Sequence, residues 1–189
     1  FSGVIMAITG ADFEKLVESK NQKKVEKKVL YLGSDFKCQN LFSEKYKKLL
    51  SKQFILFVGT IEPRKEHNIV LESFEELYKD YQDLNLVFIG SLGWKMDGFI
   101  NKLNTHPLKN ISIFHFQDLN NNELSLFYEN AYIVTYLSKY EGYGLPIAES
   151  LSYGNITIVS KNSSMPEVGK NYADYLDINK SSELTKTIK

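Results

Sequence analysis

The chain has few of the residues that mark disulfide-rich, metal-binding or membrane-spanning proteins. Its single cysteine, Cys38, excludes an internal disulfide framework and a cysteine-cluster metal site, and it suggests a reducing compartment. No apolar run approaches the ~20 residues that a membrane span needs, and there is no secretory signal pattern. Basic and acidic residues balance at 23 each, so the net charge does not indicate nucleic acid or an acidic partner.

The chain does contain enough apolar residues for one well-buried domain, with 43% hydrophobic residues in 189. From Gln53 onward, short apolar runs alternate with helix-like segments, which predicts a parallel sheet with right-handed crossovers. The run 54–59 is apolar throughout and ends in glycine, as is typical of strands buried on both faces. Further strands are predicted at 84–90, 111–116, 131–137, 156–160 and 174–176. Helices are predicted at 66–81, at 95–104, from Asn121 or Asn122 to Tyr128, from Pro146, and near Ser181.

Residues 1–52 do not follow this alternation. Five lysines in residues 20–28 favour a solvated face over a membrane or acidic-partner patch. A short helix at 12–19, a strand at 29–33 and a helix or linker at 42–51 are predicted. Because the chain starts with Phe1 and ends within a predicted helix, we expect it to be a piece of a longer protein.

The stretch from Glu141 to Gly154 combines a strand end, a glycine-containing loop and a helix start. In an open α/β sheet, a ligand binds beyond the carboxyl end of a strand and against a helix N-terminus. Backbone amides of residues 142–145 would direct partial positive charge at a phosphate. Glu149, in the first turn of a helix starting at Pro146, could accept from ribose hydroxyls, and Glu141 from a sugar hydroxyl. The alternatives are a helix-dipole role for Glu149 and an exposed loop charge for Glu141.

Two further segments follow strands and would line the same edge of the sheet. Residues 59–65 place two adjacent cations, Arg64 and Lys65, in a loop after the first strand, a combination suited to a diphosphate. The alternative is that both cations face solvent. Residues 162–169 form a turn and short helix, with Ser163 or Ser164 as its cap. The three histidines have no metal-ligand spacing, and no nucleophilic triad is visible.

These segments, in this order and spacing, resemble the retaining glycosyltransferases of family four. Residues 57–65 are similar to the opening strand and cation loop of that family's C-terminal domain. Residues 141–149 match its Glu-x7-Glu signature with the intervening Gly-aromatic-Gly-Leu-Pro intact, and residues 164–169 match the segment that follows. Thr60 departs from the family, because many relatives have arginine directly after the strand glycine, and Arg64 is the expected substitute.

The resemblance implies one half of a GT-B enzyme: an α/β, Rossmann-like parallel sheet of about six strands with helices on both faces. Residues 1–52 would be a remnant of the preceding acceptor domain and its linker. Residues 53–189 would be the nucleotide-sugar-binding domain, truncated at its C-terminus. The isolated fragment is expected to bind nucleotide weakly and not to catalyse transfer.

The resemblance also implies roles for individual residues. Arg64 and Lys65 would stabilise the leaving nucleoside diphosphate, and Glu141 would bind the donor sugar. Glu149 would hold the ribose and the loop around Gln117 the base. The remaining donor-binding residues would be Gly59, Gly142, Tyr143, Gly144 and Leu145.

The implied reaction transfers a sugar from a nucleoside-diphosphate sugar to a glycan or lipid-linked acceptor, with retention and without a required metal or cofactor. The acceptor would be bound through the missing N-terminal domain, with no nucleic-acid partner. The expected location is the cytoplasm, and the resemblance is compatible with peripheral membrane association of the full-length protein. The main alternative is a non-catalytic, nucleotide-binding Rossmann-like module. A GT-B epimerase or phosphorylase is a third reading, although no sign of a lysine-bound cofactor is visible.

Overall fold

A computed structural model describes residues 44–178 and 181–189. The predictions for residues 1–43, namely the helix at 12–19, the lysine run at 20–28 and the strand at 29–33, lie outside the described residues. Within the described part, the predicted alternation of strands and helices is confirmed. Its fold is the predicted Rossmann-like α/β architecture with a six-stranded parallel sheet.

The sheet has the strand order β3-β2-β1-β4-β5-β6, and every neighbouring pair is parallel. The strands are β1 (Phe54–Val58), β2 (Asn85–Ile89), β3 (Ile113–Phe116), β4 (Ile133–Tyr136), β5 (Ile156–Ser160) and β6 (Asp174–Leu176). The helices are α1 (Lys47–Leu50), α2 (His67–Leu77), α3 (Asp97–Thr105), α4 (Asn121–Asn130), α5 (Leu145–Ser152), α6 (Met165–Gly169) and α7 (Ser181–Ile188).

Core residues cover both faces of the central strands. All five residues of β1 are buried, as its uninterrupted apolar sequence predicted. Ile55 and Phe57 belong to a cluster with apolar residues of α2, α3 and α7, whereas Leu56 belongs to a cluster with residues of α1 and α4. The sheet is therefore sandwiched between helices.

The sheet has a topological switch point between β1 and β4. Strands β2 and β3 extend the sheet to one side of β1, and β4, β5 and β6 extend it to the other. Crevices at such a switch point, outside the carboxyl ends of the strands, are the usual ligand sites of open α/β sheets. The loops after β1 and β4, which hold the predicted cations and Glu141, flank this point.

Several predicted boundaries are wrong for local reasons. The third strand begins at Ile113 rather than Ile111, because residues 108–113 form a turn whose amides donate to the Leu108 carbonyl, and Ile111 is 65% exposed. Helix α2 ends at Leu77, and Tyr81, predicted on its apolar stripe, lies beyond it and is half exposed.

The N-cap of α4 is also a different residue from the one predicted. Asn120, rather than Asn121 or Asn122, caps the helix. Its side chain accepts from the Glu123 amide at 3.0 Å, and the Glu123 carboxylate accepts from the Asn120 amide at 3.1 Å. Glu123 also accepts from Tyr46 at 2.9 Å, which ties residues 44–50 to the domain.

Among the described residues, no helix is both long and apolar enough to cross a membrane.

Candidate donor-binding site

The cation loop after β1 and the glutamate loop after β4 are joined by hydrogen bonds. The Lys139 amide donates to the Arg64 carbonyl at 2.8 Å, and the Glu66 amide donates to the Leu137 carbonyl at 3.1 Å. The Ser138 hydroxyl donates to the Arg64 carbonyl at 3.2 Å. Because two of these bonds connect backbone to backbone and the third adds a side-chain hydroxyl, the positions of the two loops are fixed relative to one another at the switch point.

Arg64, Lys65 and Glu141 form one cluster there, which we call the charge cluster. Glu141 Oε1 forms an ion pair with an Arg64 guanidinium nitrogen and lies 3.6 Å from Lys65 Nζ. The other terminal nitrogen of Arg64 lies 2.6 Å from a Glu62 carboxylate oxygen. Glu141 is therefore not an exposed loop charge, and the cations do not both face solvent.

The charge cluster rests on Tyr136, the last residue of β4. The Tyr136 hydroxyl accepts a hydrogen bond from Lys65 Nζ at 3.0 Å, and Nζ lies 4.7 Å from the centre of its ring. Gly59 leaves the space for this ammonium, since a Cβ at Gly59 would lie 2.6 Å from Lys65 Nζ. Lys65 is therefore buried, at 7% exposed, although a lysine in a loop usually faces solvent.

Burial and ion pairing shift the pKa values of Lys65 and Glu141 in opposite directions. Burial lowers the pKa of Lys65, and the charge of Glu141 only partly opposes that shift. Burial alone would raise the pKa of Glu141, but the hydrogen bond from Arg64 and the positive charges of Lys65 and Arg64 outweigh it. The pKa of Glu141 is therefore lowered, and its carboxylate is ionised at neutral pH.

The glycine loop is held by two serines of the following motif. The Ser163 hydroxyl donates to the Glu141 carbonyl at 2.6 Å, and the Ser164 hydroxyl donates to the carbonyls of Glu141 and Tyr143 at 3.0 Å each. Ser164 stands at the N-cap of α6, but its side chain makes no capping hydrogen bond. The predicted cap position is thus confirmed for Ser164, but the serine hydroxyls order the Glu141 loop instead of making a capping hydrogen bond.

Gly144 forms the corner between this loop and α5. Its φ of +99° lies in the left-handed region, which favours glycine. Helix α5 begins at Leu145, one residue before the predicted start at Pro146, and proline takes the second position. The donor-binding residues predicted from 142 to 145 therefore span the corner and the first residue of the helix.

Glu149 lies beyond the first turn of α5, so its predicted first-turn position is wrong. Its carboxylate accepts a hydrogen bond from the Tyr128 hydroxyl of α4 at 2.8 Å. Burial raises the pKa of Glu149, and the bond from Tyr128 lowers it in part. This contact with a neighbouring helix accounts for Glu149 better than a helix-dipole role, which is confined to the first turn.

Gln117 directly follows β3, at the same edge of the sheet but two strands away from β1. Its side-chain oxygen lies 3.4 Å from the Leu92 amide, in the loop after β2. The structure thus brings Arg64, Lys65, Glu141 and Gly59 together, whereas Gln117 and Glu149 contact other residues on either side.

The three histidines have partners within the fold. His67 is buried against Phe57, with Nδ1 2.7 Å from the Lys65 carbonyl oxygen. His115 Nε2 lies 2.8 Å from the Gly90 carbonyl oxygen, and His106 Nε2 lies 3.1 Å from a Glu75 carboxylate oxygen. Within residues 44–178 and 181–189, no three His, Cys, Asp or Glu residues are grouped as metal ligands.

A cavity of about 620 Å³ lies at the opposite edge of the sheet, near the amino ends of β1, β2 and β4. Its charged side chains pair with one another: Lys52 with Asp83 at 3.1 Å and Lys189 with Asp80 at 2.7 Å. We assign the candidate site to the carboxyl edge because that edge, unlike this cavity, combines buried charges with the switch point.

Sequence reasoning missed Tyr136 and Tyr128, the two phenols that contact the predicted charged residues. Tyr136 belongs to an apolar strand and Tyr128 to an apolar helix face, so both resemble ordinary core residues. The spacing of Asn120 and Glu123, in contrast, is the signature of a capping box and could have located the cap.

Comparison with known proteins identifies the family. The sequence profile described as "Glycosyl transferases group 1" matches residues 38–188. The chain is 32% identical over 133 residues to the serotype-specific mannosyltransferase WbdA of Escherichia coli, which covers 70% of this chain and 16% of that protein. It is 31% identical over 116 residues to the O-antigen chain mannosyltransferase B of Escherichia coli, covering 61% of this chain and 30% of that protein.

Solved structures share the fold at low sequence identity. The C-terminal domain of the group 1 glycosyl transferase LpcC from Francisella tularensis matches with a TM-score of 0.66 and 20% identity, covering 81% of this chain and 83% of that one. HepE of Anabaena, solved in complex with UDP-glucose, matches with a TM-score of 0.76 and 16% identity, covering 100% of this chain and 53% of that one.

The chain spans only 16% of the length of the WbdA relatives. Its own sequence nevertheless matches the family profile over most of its length, and its fold is that of a C-terminal GT-B domain. The chain belongs to the group 1 glycosyl transferases.

Proposed function

We propose that this chain is the donor-binding half of a retaining glycosyltransferase. It would bind a nucleoside-diphosphate sugar whose sugar is transferred to a glycan or lipid-linked acceptor. The observation that carries the proposal is the charge cluster of Arg64, Lys65 and Glu141 at the switch point of the sheet. The names of the relatives support a sugar donor, since they are mannosyltransferases and HepE was solved with UDP-glucose.

Arg64 and Lys65 would stabilise the diphosphate as it leaves. When the bond between the sugar C1 and the phosphate oxygen breaks, the electron pair stays on the diphosphate, where positive charge lowers the barrier. A guanidinium fork and a buried ammonium supply that charge from protein groups, so we propose that no metal ion is required. The Tyr136 hydroxyl would hold the ammonium in the space that Gly59 leaves for it.

Glu141 would change partners when the donor binds. In the structure its carboxylate pairs with both cations, which are the groups that would bind the diphosphate, and Glu62 pairs with Arg64 as well. A bound diphosphate would take over those cations, and Glu141 would then accept hydrogen bonds from the donor sugar. Backbone groups from Gly142 to Leu145, including Tyr143 and Gly144, would lie against the sugar and phosphate.

Glu149 and Gln117 would bind the nucleoside on either side of the charge cluster. Glu149 offers a carboxylate to the ribose, and Gln117 lies in a loop near which the base would rest. The acceptor would be bound by another domain of the full-length protein. We further propose that this protein works in the cytoplasm, with peripheral contact to the inner face of the membrane.

The proposal is tested by transfer with the full-length protein, using a mannose donor and UDP-glucose in parallel with a glycan acceptor. The expected products are the free nucleoside diphosphate and a new glycosidic bond with the anomeric configuration of the donor. Nuclear magnetic resonance of the product reports that configuration. An inverted product would contradict retention, and nucleotide binding without transfer would favour the non-catalytic module. Transfer that is abolished by EDTA and restored by a metal would contradict the metal-free proposal.

A further inference from the structure

We propose that Tyr128 is a positioning residue of the donor site: its hydroxyl fixes the Glu149 carboxylate in the orientation that accepts hydrogen bonds from the ribose. The inference rests on the proposed function, because it assigns a partner to the carboxylate of that same site. Tyr128 would not contact the donor. It would act through Glu149 alone.

The geometry of the contact defines what Tyr128 can do. Its hydroxyl donates to Glu149 Oε2 at 2.8 Å, and Glu149 lies on α5 whereas Tyr128 lies on α4. A carboxylate has two oxygens, so a bond to Oε2 leaves Oε1 to accept from a ligand. The bond also restricts rotation of a long side chain, which lowers the entropy that ligand binding must remove.

Tyr128 is itself held rigidly. The side chain is fully buried, and its ring stacks on the ring of Tyr153 with centroids 5.7 Å apart and planes 13° apart. The Asn155 side-chain amide donates to the Tyr128 carbonyl at 2.9 Å, which anchors the backbone of α4 to the loop before β5. Because both ring and backbone are fixed, the hydroxyl presents its proton to Glu149 from one direction.

The contact also has an electrostatic effect. Burial raises the pKa of Glu149, and the hydrogen bond from Tyr128 opposes that rise. A protonated carboxyl accepts less well from vicinal hydroxyls, so donor binding should weaken as the pH falls through the pKa of Glu149. Removing the Tyr128 hydroxyl should move that loss of binding to higher pH.

The chain provides a matched control in Tyr153. Its hydroxyl oxygen is buried and has no hydrogen-bond partner among the described residues, and its ring is the stacking partner of Tyr128. Tyr128→Phe and Tyr153→Phe therefore each remove one buried hydroxyl from the same aromatic pair. Only the first removes a bond to Glu149.

The experiment uses the full-length protein and calorimetry with UDP and GDP, together with the 2′-deoxy form of whichever binds more tightly. Wild type should prefer the ribonucleotide, and Tyr128→Phe should lose most of that preference and bind the ribonucleotide about tenfold more weakly. In Tyr128→Phe, the loss of binding at low pH should begin at a higher pH than in wild type. Tyr153→Phe should behave as wild type. A Tyr128→Phe variant with wild-type discrimination and pH profile overturns the inference, as does an equal loss in Tyr153→Phe.

A second variant covers the case in which Tyr128→Phe does not fold. Glu149→Gln keeps an oxygen that can accept from Tyr128 but no longer titrates. This variant should retain part of the ribose preference, and its binding should no longer weaken at low pH. Binding that weakens at low pH as in wild type overturns the inference. Absence of any nucleotide binding by wild type, in contrast, defeats the proposed function itself and is thereby distinguished from failure of the Tyr128 assignment.

Discussion

The Glu141 carboxylate oxygen Oε1 and the Lys65 ammonium nitrogen lie 3.6 Å apart, and each residue is less than a tenth exposed. Two opposite charges buried at this distance interact strongly, because water screens them poorly. The Arg64 guanidinium shares the same carboxylate oxygen. Glu62 is also paired with Arg64, so two carboxylates face two cations here, and a diphosphate bound at this place would compete with Glu141 for them.

Replacing Glu141 by glutamine should tighten the binding of a free nucleoside diphosphate, on the order of tenfold, because the amide no longer neutralises Arg64 and Lys65. Sugar transfer should fall in the same variant, since the donor sugar loses its carboxylate. Calorimetry with UDP or GDP measures the first effect. Glu62→Gln is the matched control, because Glu62 pairs with Arg64 at 2.6 Å but, among the described residues, forms no ion pair with Lys65, and it should therefore change binding less. Weaker diphosphate binding by Glu141→Gln would be incompatible with this competition.

Replacing Lys65 or Arg64 by methionine should weaken nucleoside diphosphate binding by about 10- to 100-fold, the range expected for one hydrogen bond to a charged group. Binding of the uncharged nucleoside should not change, because it carries no phosphate. Titrations with UDP and uridine separate the two effects. Lys139→Met serves as the control, since Lys139 is a neighbouring exposed lysine paired with Glu66 at 2.9 Å. Equal losses for nucleoside and diphosphate would mean that the cations support the fold and not the ligand.

The sequence was sufficient to predict the sheet, its six strands and the placement of the cation loop and the Glu141 loop at its carboxyl edge. Apolar runs ending in glycine, such as 54–59, carry that information locally. The contact between Lys65 and Glu141 joins residues 76 positions apart in the sequence, and no local pattern specifies it. The same holds for Tyr128 and Tyr136, whose hydroxyls meet Glu149 and Lys65 only when α4 and β4 pack beside α5 and the cation loop.

Gly90, after β2, has no room for a side chain. A Cβ there would lie 2.2 Å from the Gly59 carbonyl oxygen, and its φ is +151°. Gly90→Ala should therefore destabilise the protein by about 1–3 kcal/mol, the usual cost of overpacking. Gly98 of α3 is the control, because a Cβ there meets nothing within 4 Å and alanine should be neutral or stabilising. Urea denaturation compares the two, and a Gly90→Ala midpoint at or above that of Gly98→Ala would refute the steric argument.

His67 should make the protein sensitive to mild acid. Burial lowers the pKa of His67 to about 4 from the ordinary 6.5, so the unfolded chain binds a proton that the native chain does not between those values. Stability is therefore lost as the pH falls from 6.5 to about 4, by roughly 3 kcal/mol for this residue. His67→Leu should remove this component, as measured by urea denaturation at a series of pH values. Parallel pH curves for wild type and His67→Leu would show that His67 is not the group responsible.

The caps of α4 and α6 differ from their predictions for a different reason than the missed phenols: the α4 cap lies one residue earlier, and Ser164 stands at the predicted N-cap of α6 without a capping hydrogen bond. Three consecutive asparagines, 120–122, offer the same side chain to the start of α4, and only the glutamate three residues after Asn120 distinguishes them. Ser163 and Ser164 had suitable cap positions, yet the carbonyls of the Glu141 loop compete for their hydroxyls. Local propensity thus locates such residues, whereas tertiary contacts decide which partner they take.

The most direct test of the account is a thermal-shift comparison of the full-length protein and its Glu149→Ala variant with nucleoside diphosphates and their sugars. A ligand that binds only the folded state raises the melting temperature according to its affinity and concentration. We expect at least one nucleoside-diphosphate sugar to raise the melting temperature of wild type, and the increase to be largely lost in Glu149→Ala. An unchanged increase in the variant, or no increase in wild type with any nucleotide, would contradict a donor site at this edge of the sheet.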